Sequence, residues 1–198
     1  MDFLDNKKLI KIGGEDEMLE RKTSNFVRNG KVYILGDFDE TISRYVIPDL
    51  TDMVAEGVNR SDLVIPFYIN SYGGEANELD GLMSMIDMAK GTGITIVTYN
   101  IGVACSCGSL LACVGDKRFM YRGASNLMHL GSIATESKTY EQARRNSVLT
   151  KDFFDNTVRT YVENSKMDEK EVRRVLADDM FWMNAKECKK RGLVDYII

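Results

Sequence analysis

Apolar positions along the chain fall into short runs separated by stretches of helical spacing. KVYILG (31–36) reads as a buried strand. The helix-length segment DETISRYVIPDLTDMVAEGV follows, in which Pro48 predicts a kink or a late start. LVIPFYIN (63–70) is a second apolar strand, and Pro66 inside it argues for an irregular or edge position. A turn at SYGG leads into ANELDGLMSMIDMAK, where Leu79, Leu82, Met83, Met85, Ile86 and Met88 suit a helix packed on a sheet. GITIVTYN (93–100) is another β-branched run. GVACSCGSLLACVG is expected to start as a loop and continue as a short helix of small residues. KRFMYR and NLMHL are two short strand candidates.

Such alternation predicts an α/β fold with right-handed crossovers. The C-terminal third differs. From Tyr140 to Val162 runs one helical pattern containing Val148, Leu149, Phe153, Phe154, Val158, Tyr161 and Val162. At ~1.5 Å per residue it would be about 35 Å long, the breadth of a small domain, so it should protrude or meet a partner. Two shorter helices (KEVRRVLA and AKECKKRG) and a last strand, LVDYII, complete the chain. The first 30 residues are polar without periodicity and are expected to form a loosely packed arm. No linker or repeat divides the rest, so residues 1–198 read as one domain.

Composition narrows the function classes. Hydrophobic residues make up 44% and charged residues 28% of the 198, ordinary for a globular protein. A net charge of −4 gives no electrostatic reason to expect nucleic acid or an anionic membrane. No apolar run approaches the ~20 residues that span a bilayer. The first residues lack the basic-then-apolar order of a secretory signal, so a cytoplasmic protein is expected. Cys105, Cys107 and Cys113 crowd into one apolar segment, with Cys188 far away, which is unlike a disulfide framework. Neither a second Cys pair nor a His cluster stands near Cys105 and Cys107 to complete a zinc site. Small buried hydrophobes is the simplest reading of all four.

His129 is the only histidine, so any His-based acid/base chemistry falls to it. Between Leu127, Met128 and Leu130 it reads as readily as a structural residue. Ser106 stands in G-V-A-C-S-C-G-S, between a β-branched strand and a helix of small residues, where a tight turn can expose a nucleophile ahead of a helix N-terminus. Such a hydroxyl needs an imidazole within hydrogen-bond reach to become nucleophilic. Ser109, Cys105 and Cys107 are rival nucleophiles, and a tightly packed structural helix explains the same residues. Asn70-Ser71-Tyr72-Gly73-Gly74 can aim backbone N–H groups at an oxyanion, bind phosphate, or simply turn.

In order, I-N-S-x-G-G, G-x-A-x-S-x-G-S, M-H and A-K-E-C-x-x-x-G-L-V-D resemble the ClpP peptidase family over roughly residues 31–198. The resemblance implies a crotonase-type fold of stacked β-sheets and crossover helices, with a long handle helix that interlocks two heptameric rings. It implies Ser106 as nucleophile, His129 as base, and the backbone N–H groups of Gly74 and Cys107 as oxyanion donors. Its third catalytic member is an aspartate four residues ahead of the last helical block. Counting back from Asn184 reaches Met180; one inserted residue brings Asp179 into register, chosen over Asp178. The family's Pro before Gly-Gly is Tyr72 here, its Gln-Pro after the histidine is Leu130-Gly131, and its usual N-terminus is not recognisable. These departures suit an accessory or phage-encoded member and leave docking to an AAA+ unfoldase ATPase open. The expected activity is serine endopeptidase action on short or unfolded chains inside an oligomeric ring, with no metal or organic cofactor. G-x-x-x-x-G-K-[ST] is absent, so any ATP dependence would come from a partner. A catalytically silent ring subunit and a crotonase-type acyl-CoA enzyme are the alternatives.

Overall fold

The computed structural model describes residues 26–57, 62–129, 131, 139–178 and 181–198. A short strand, β1 (Val27–Arg28), turns back onto β2 (Lys31–Leu35). A π-helical turn (Ile42–Val46) runs into α1 (Ile47–Gly57). Then come β3 (Val64–Ser71), α2 (Ala76–Gly91), β4 (Thr95–Cys105) and α3 (Cys107–Cys113). Two short strands follow, β5 (Lys117–Met120) and β6 (Ser125–Leu127). The C-terminal part holds α4 (Tyr140–Glu163), α5 (Glu169–Leu176), β7 (Trp182–Asn184), α6 (Ala185–Arg191) and β8 (Tyr196–Ile197). The architecture is mixed α/β around one sheet of order β1-β2-β3-β4-β5-β8, parallel from β2 onward, with β6 and β7 branching from β4.

Alternation along the strands decides which face is core. Ile65, Phe67 and Ile69 of β3 are buried, with Ile34 and Ile96 from its neighbours, against Leu50 and Val54 of α1 and Leu79, Leu82 and Ile86 of α2. The other face carries a row of rings that the apolar runs alone did not predict. Tyr33, Tyr68, Tyr99, Phe119 and Tyr196 occupy successive register positions and stack at 5.2, 4.9, 4.9 and 4.8 Å between centroids. That is the spacing of neighbouring strands, so the sheet itself sets the stack.

Three expectations change, and the choice left at Pro48 is settled. Pro66 is central, paired with Val97 between β2 and β4. The Leu63 carbonyl accepts the Thr95 N–H, so odd-numbered backbone groups of this strand face β4 and even-numbered ones face β2. Pairing with β2 begins only at Val32↔Phe67, so the proline nitrogen falls where no ladder bond is required. Of the two outcomes expected at Pro48, the late start holds: α1 begins at Ile47, after a widened turn closed by the Ile47 N–H donating to the Ile42 carbonyl. A wider turn makes room for the proline ring against the carbonyl four residues before it. Residues 26–30 belong to a hairpin rather than to the arm, with Val27 buried and the Tyr33 N–H donating to the Phe26 carbonyl at 2.7 Å. Residues 1–25 lie outside the described residues. Finally, the loop expected from Gly102 is strand as far as Cys105.

The long helix runs 24 residues, about 36 Å. A capping box starts it: the Gln142 N–H donates to Thr139 Oγ1 and the Thr139 N–H to Gln142 Oε1. Only Thr157, Val158 and Tyr161, near its C-terminal end, are buried; Tyr140, Val148 and Leu149 are exposed. The Asp195 carboxylate, from the G-L-V-D run, binds Arg118 by its N–H, Nε and guanidinium NH2 at 2.9, 3.1 and 2.7 Å, pinning the last strand. That pairing holds Asp195 below the usual carboxylate range. Among the described residues no helix is long and apolar enough to cross a membrane.

Inner rings of the aromatic row have two stacking partners and outer rings one. At about 0.5–1.5 kcal/mol per stacked pair, Tyr99→Leu should destabilise the fold roughly twice as much as Tyr196→Leu. Urea unfolding midpoints at constant m-value test this; equal losses would mean that the stacking contributes nothing.

Candidate active site

Ser106 is delivered by an irregularity in the longest strand. The pairing of β3 with β4 runs to Ile69↔Asn100 and resumes at Ser71↔Ala104, so residues 101–103 of β4 oppose Asn70 alone. Two asparagines satisfy the extra backbone. Asn70 Oδ1 accepts the Val103 N–H at 2.9 Å, and Asn100 Oδ1 accepts the Gly102 N–H at 3.3 Å while its Nδ2 donates to the Ser125 carbonyl at 2.9 Å. Beyond this bulge β4 leaves β5 and pairs with β6. The strand then passes into α3 through one residue, Ser106, at φ 55° and ψ −121°. A non-glycine residue held there costs about 1–3 kcal/mol and persists only where its surroundings over-determine it. They do. The Ser106 N–H donates to the Leu127 carbonyl at 3.0 Å, while its own carbonyl accepts the Ser109 and Leu110 N–H groups at 2.9 and 3.1 Å.

The Gly-Gly turn lies against this serine. A Cβ on Gly73 would stand 2.6 Å from Ser106 Cβ and 3.2 Å from its Oγ, and the Gly73 φ is +106°. Gly74, at φ +144°, is held on its other side by Phe38. The Phe38 N–H donates to the Gly73 carbonyl at 2.8 Å, and its carbonyl accepts the Glu75 N–H at 2.7 Å. A Cβ on Gly74 would stand 2.7 Å from the Phe38 nitrogen. The Gly74 carbonyl accepts the Cys107 thiol at 3.4 Å, which seats the turn on the N-terminus of α3. Cys107 is the first residue of that helix, so its N–H has no intrahelical acceptor. Two glycine-turn and helix-end backbones therefore flank one hydroxyl, an arrangement able to receive an oxyanion.

His129 is half-buried and stands two residues beyond Leu127, the residue whose carbonyl takes the Ser106 N–H. Cys105↔Leu127 is the last pair of β4 with β6, so the histidine enters from the strand beside the serine. On the other side β6 pairs with β7, antiparallel, ending at Leu127↔Trp182. The connection from α5 thus arrives beside the exit of β6. Asp178 in that connection is exposed, its N–H donating to the Val175 carbonyl and its carbonyl accepting the Phe181 N–H. Asp179 lies outside the described residues.

The rival nucleophiles are committed elsewhere. Ser109 is fully buried and hydrogen-bonded to Asn126 and Tyr161. Cys105 and Cys107 are buried; burial pushes the first thiol up and the second up to about 11. The residues missed in the sequence are Phe38, which braces Gly74, and Asn126 with Tyr161; none lies in a recognisable motif.

Comparison with known proteins gives the family. The profile of the Clp protease family matches residues 14–198. The chain belongs to the Clp protease family. Among Clp protease relatives, an ATP-dependent Clp protease proteolytic subunit of Bigelowiella natans is 30% identical over 84% of this chain and 83% of that protein. An ATP-dependent Clp protease proteolytic subunit 2 of Corynebacterium efficiens is 26% identical over 87% of this chain and 83% of its own length. For the ATP-dependent Clp protease proteolytic subunit of Streptococcus mutans the figures are 26%, 88% and 87%.

Three outcomes follow from this packing. Gly74→Ala, which strains φ and crowds the Phe38 backbone, should lower the melting temperature. Burial holds Cys107 near 11 and Cys113 and Cys188 near 12, against 9.0 for an ordinary thiol. The unfolded chain therefore gives up these protons at lower pH than the folded one. Stability should be unaffected below about pH 9 and fall as pH rises toward 11–12. Iodoacetamide near pH 8 should spare these thiols in the folded protein and modify them in urea.

Proposed function

We propose that this Clp protease family member is a serine endopeptidase with Ser106 as nucleophile, His129 as general base and Asp179 as orienting acid. The observation that carries the reading is the bond from the Ser106 N–H to the Leu127 carbonyl, which brings the strand leading to the only histidine against a serine of constrained backbone. His129 takes the Ser106 proton as Oγ attacks a peptide carbonyl, and the Gly74 and Cys107 N–H groups hold the oxyanion. The imidazolium then protonates the leaving amine, and water, deprotonated by His129, releases the acyl group. Asp179 fixes the imidazole tautomer. None of these steps calls on a metal or organic cofactor. The exposed length of α4, with Val148 and Leu149 open to solvent, supports assembly of several copies into stacked heptameric rings. The substrate is then a short or unfolded chain admitted to the chamber, working in the cytoplasm, with an AAA+ unfoldase supplying any ATP dependence.

Treatment with a fluorophosphonate, followed by peptide mapping, should give one adduct, on Ser106, absent in Ser106→Ala. No adduct on a folded, assembled sample would turn the reading to a silent ring subunit. Asp179→Asn should lower kcat by up to about 10⁴ and Asp178→Asn much less; if neither lowers it, neither residue is the orienting acid. Leu149→Asp together with Val148→Asp should shift the assembly to smaller species in sedimentation velocity, while an unchanged distribution would remove α4 from the interface.

A further inference from the structure

Behind Ser106 lies a buried chain of hydrogen bonds that no motif accounts for. The Tyr161 hydroxyl, on the inner end of α4, donates to Ser109 Oγ at 2.9 Å. The Ser109 hydroxyl in turn donates to Asn126 Oδ1 at 3.0 Å. Tyr161, Ser109 and Asn126 are 1%, 0% and 3% exposed, in a core otherwise built from Val158, Leu111, Met128 and their neighbours. Three polar groups could be replaced there by Phe, Ala and Val with little change of volume, and burying them is costly unless all are paired. Fully paired, such a network specifies one arrangement of the elements it joins.

What it joins is specific. The carbonyl of Ser106 is held by the Ser109 N–H of α3, and the N–H of Ser106 is held by the Leu127 carbonyl of β6. The Ser109–Asn126 bond ties α3 directly to β6, one residue from Leu127. It thus fastens together the two elements that grip the strained serine from opposite ends. Tyr161 then anchors that joint to the base of the long helix. Burial keeps the phenol protonated far beyond neutrality, so its hydroxyl remains a donor.

We propose that Tyr161, Ser109 and Asn126 are positioning residues that set the Ser106 backbone and the register of the His129 strand relative to the N-terminus of α3. This rests on the reading of Ser106 as nucleophile. A shift at that joint would move the hydroxyl, the Cys107 N–H and the histidine relative to one another, without touching the surface where a peptide binds.

The test is Tyr161→Phe, which removes one hydroxyl and keeps the ring, compared with Val158→Ala, which loosens the same end of α4 and leaves the network intact. On assembled protein, Tyr161→Phe should lower kcat for a chromogenic peptide and the rate of fluorophosphonate labelling by about tenfold or more, as misplaced reacting groups do. KM should stay within about twofold, the pattern of an interaction realised only in the transition state. Val158→Ala should lower the melting temperature and leave both rates near wild type. Should Tyr161→Phe fail to assemble, Ser109→Ala cuts the chain at its middle and must show the same split. Wild-type rates in an assembled Tyr161→Phe, or equal losses in Val158→Ala, overturn the positioning role while Ser106 still labels in the wild type. Failure of the wild type itself to label would overturn the nucleophile reading, and this inference with it.

Discussion

Beyond Asn100 the longest strand of the sheet exchanges one neighbour for another, and the candidate site exists because of that exchange. Up to Asn100, β4 is an ordinary member of a parallel sheet, bonded to β3 and β5. The bulge at 101–103 rotates it out of that pairing, and its last residues bond to β6 instead. The extra backbone is satisfied locally by Asn70 and Asn100, which accept the Val103 and Gly102 N–H groups, so the distortion leaves the five-strand core intact. Ser106 then stands at the tip of a strand that is anchored on one side by β3 and on the other by the strand leading to His129. Sheet and site are thereby built on one element but supported by different neighbours.

Much of the fold can be read from periodicity. The strands around Tyr33, Tyr68 and Tyr99, the helix over Ala76–Gly91 and the long helix from Tyr140 follow the apolar pattern closely. What escaped has a common cause: it depends on which flank of a strand a backbone group faces. Pro66 reads as an edge residue only if its nitrogen must donate, and the register of β2 relieves it of that duty. The aromatic row likewise needs five strands in register before it exists; each ring taken singly looks like any half-exposed tyrosine. Residues 102–105 read as a loop because glycine and alanine dilute the strand signal, and their pairing comes from partners far along the chain.

At the site, the residues with chemistry of their own were legible: a serine between small neighbours, the single histidine and the glycine pair. Backbone partners were not. Nothing in the letters marks Phe38 as the brace of Gly74, or Asn126 as a neighbour of Ser109, because each contact joins segments separated by many residues. The register of Asp178 and Asp179 could not be read from spacing for the same reason: it depends on how the chain turns from α5 into β7.

The backbone of Ser106 has a practical corollary. Its left-handed φ is an unfavourable local choice, sustained from α3, β6 and the glycine turn at once. A chain in which any of these has come loose relaxes to an ordinary conformation, and the hydroxyl is no longer aimed. On the reading of Ser106 as nucleophile, reactivity at this one side chain would therefore report correctly folded copies. In a heterogeneous preparation, covalent occupancy of the serine would count native subunits where absorbance counts them all.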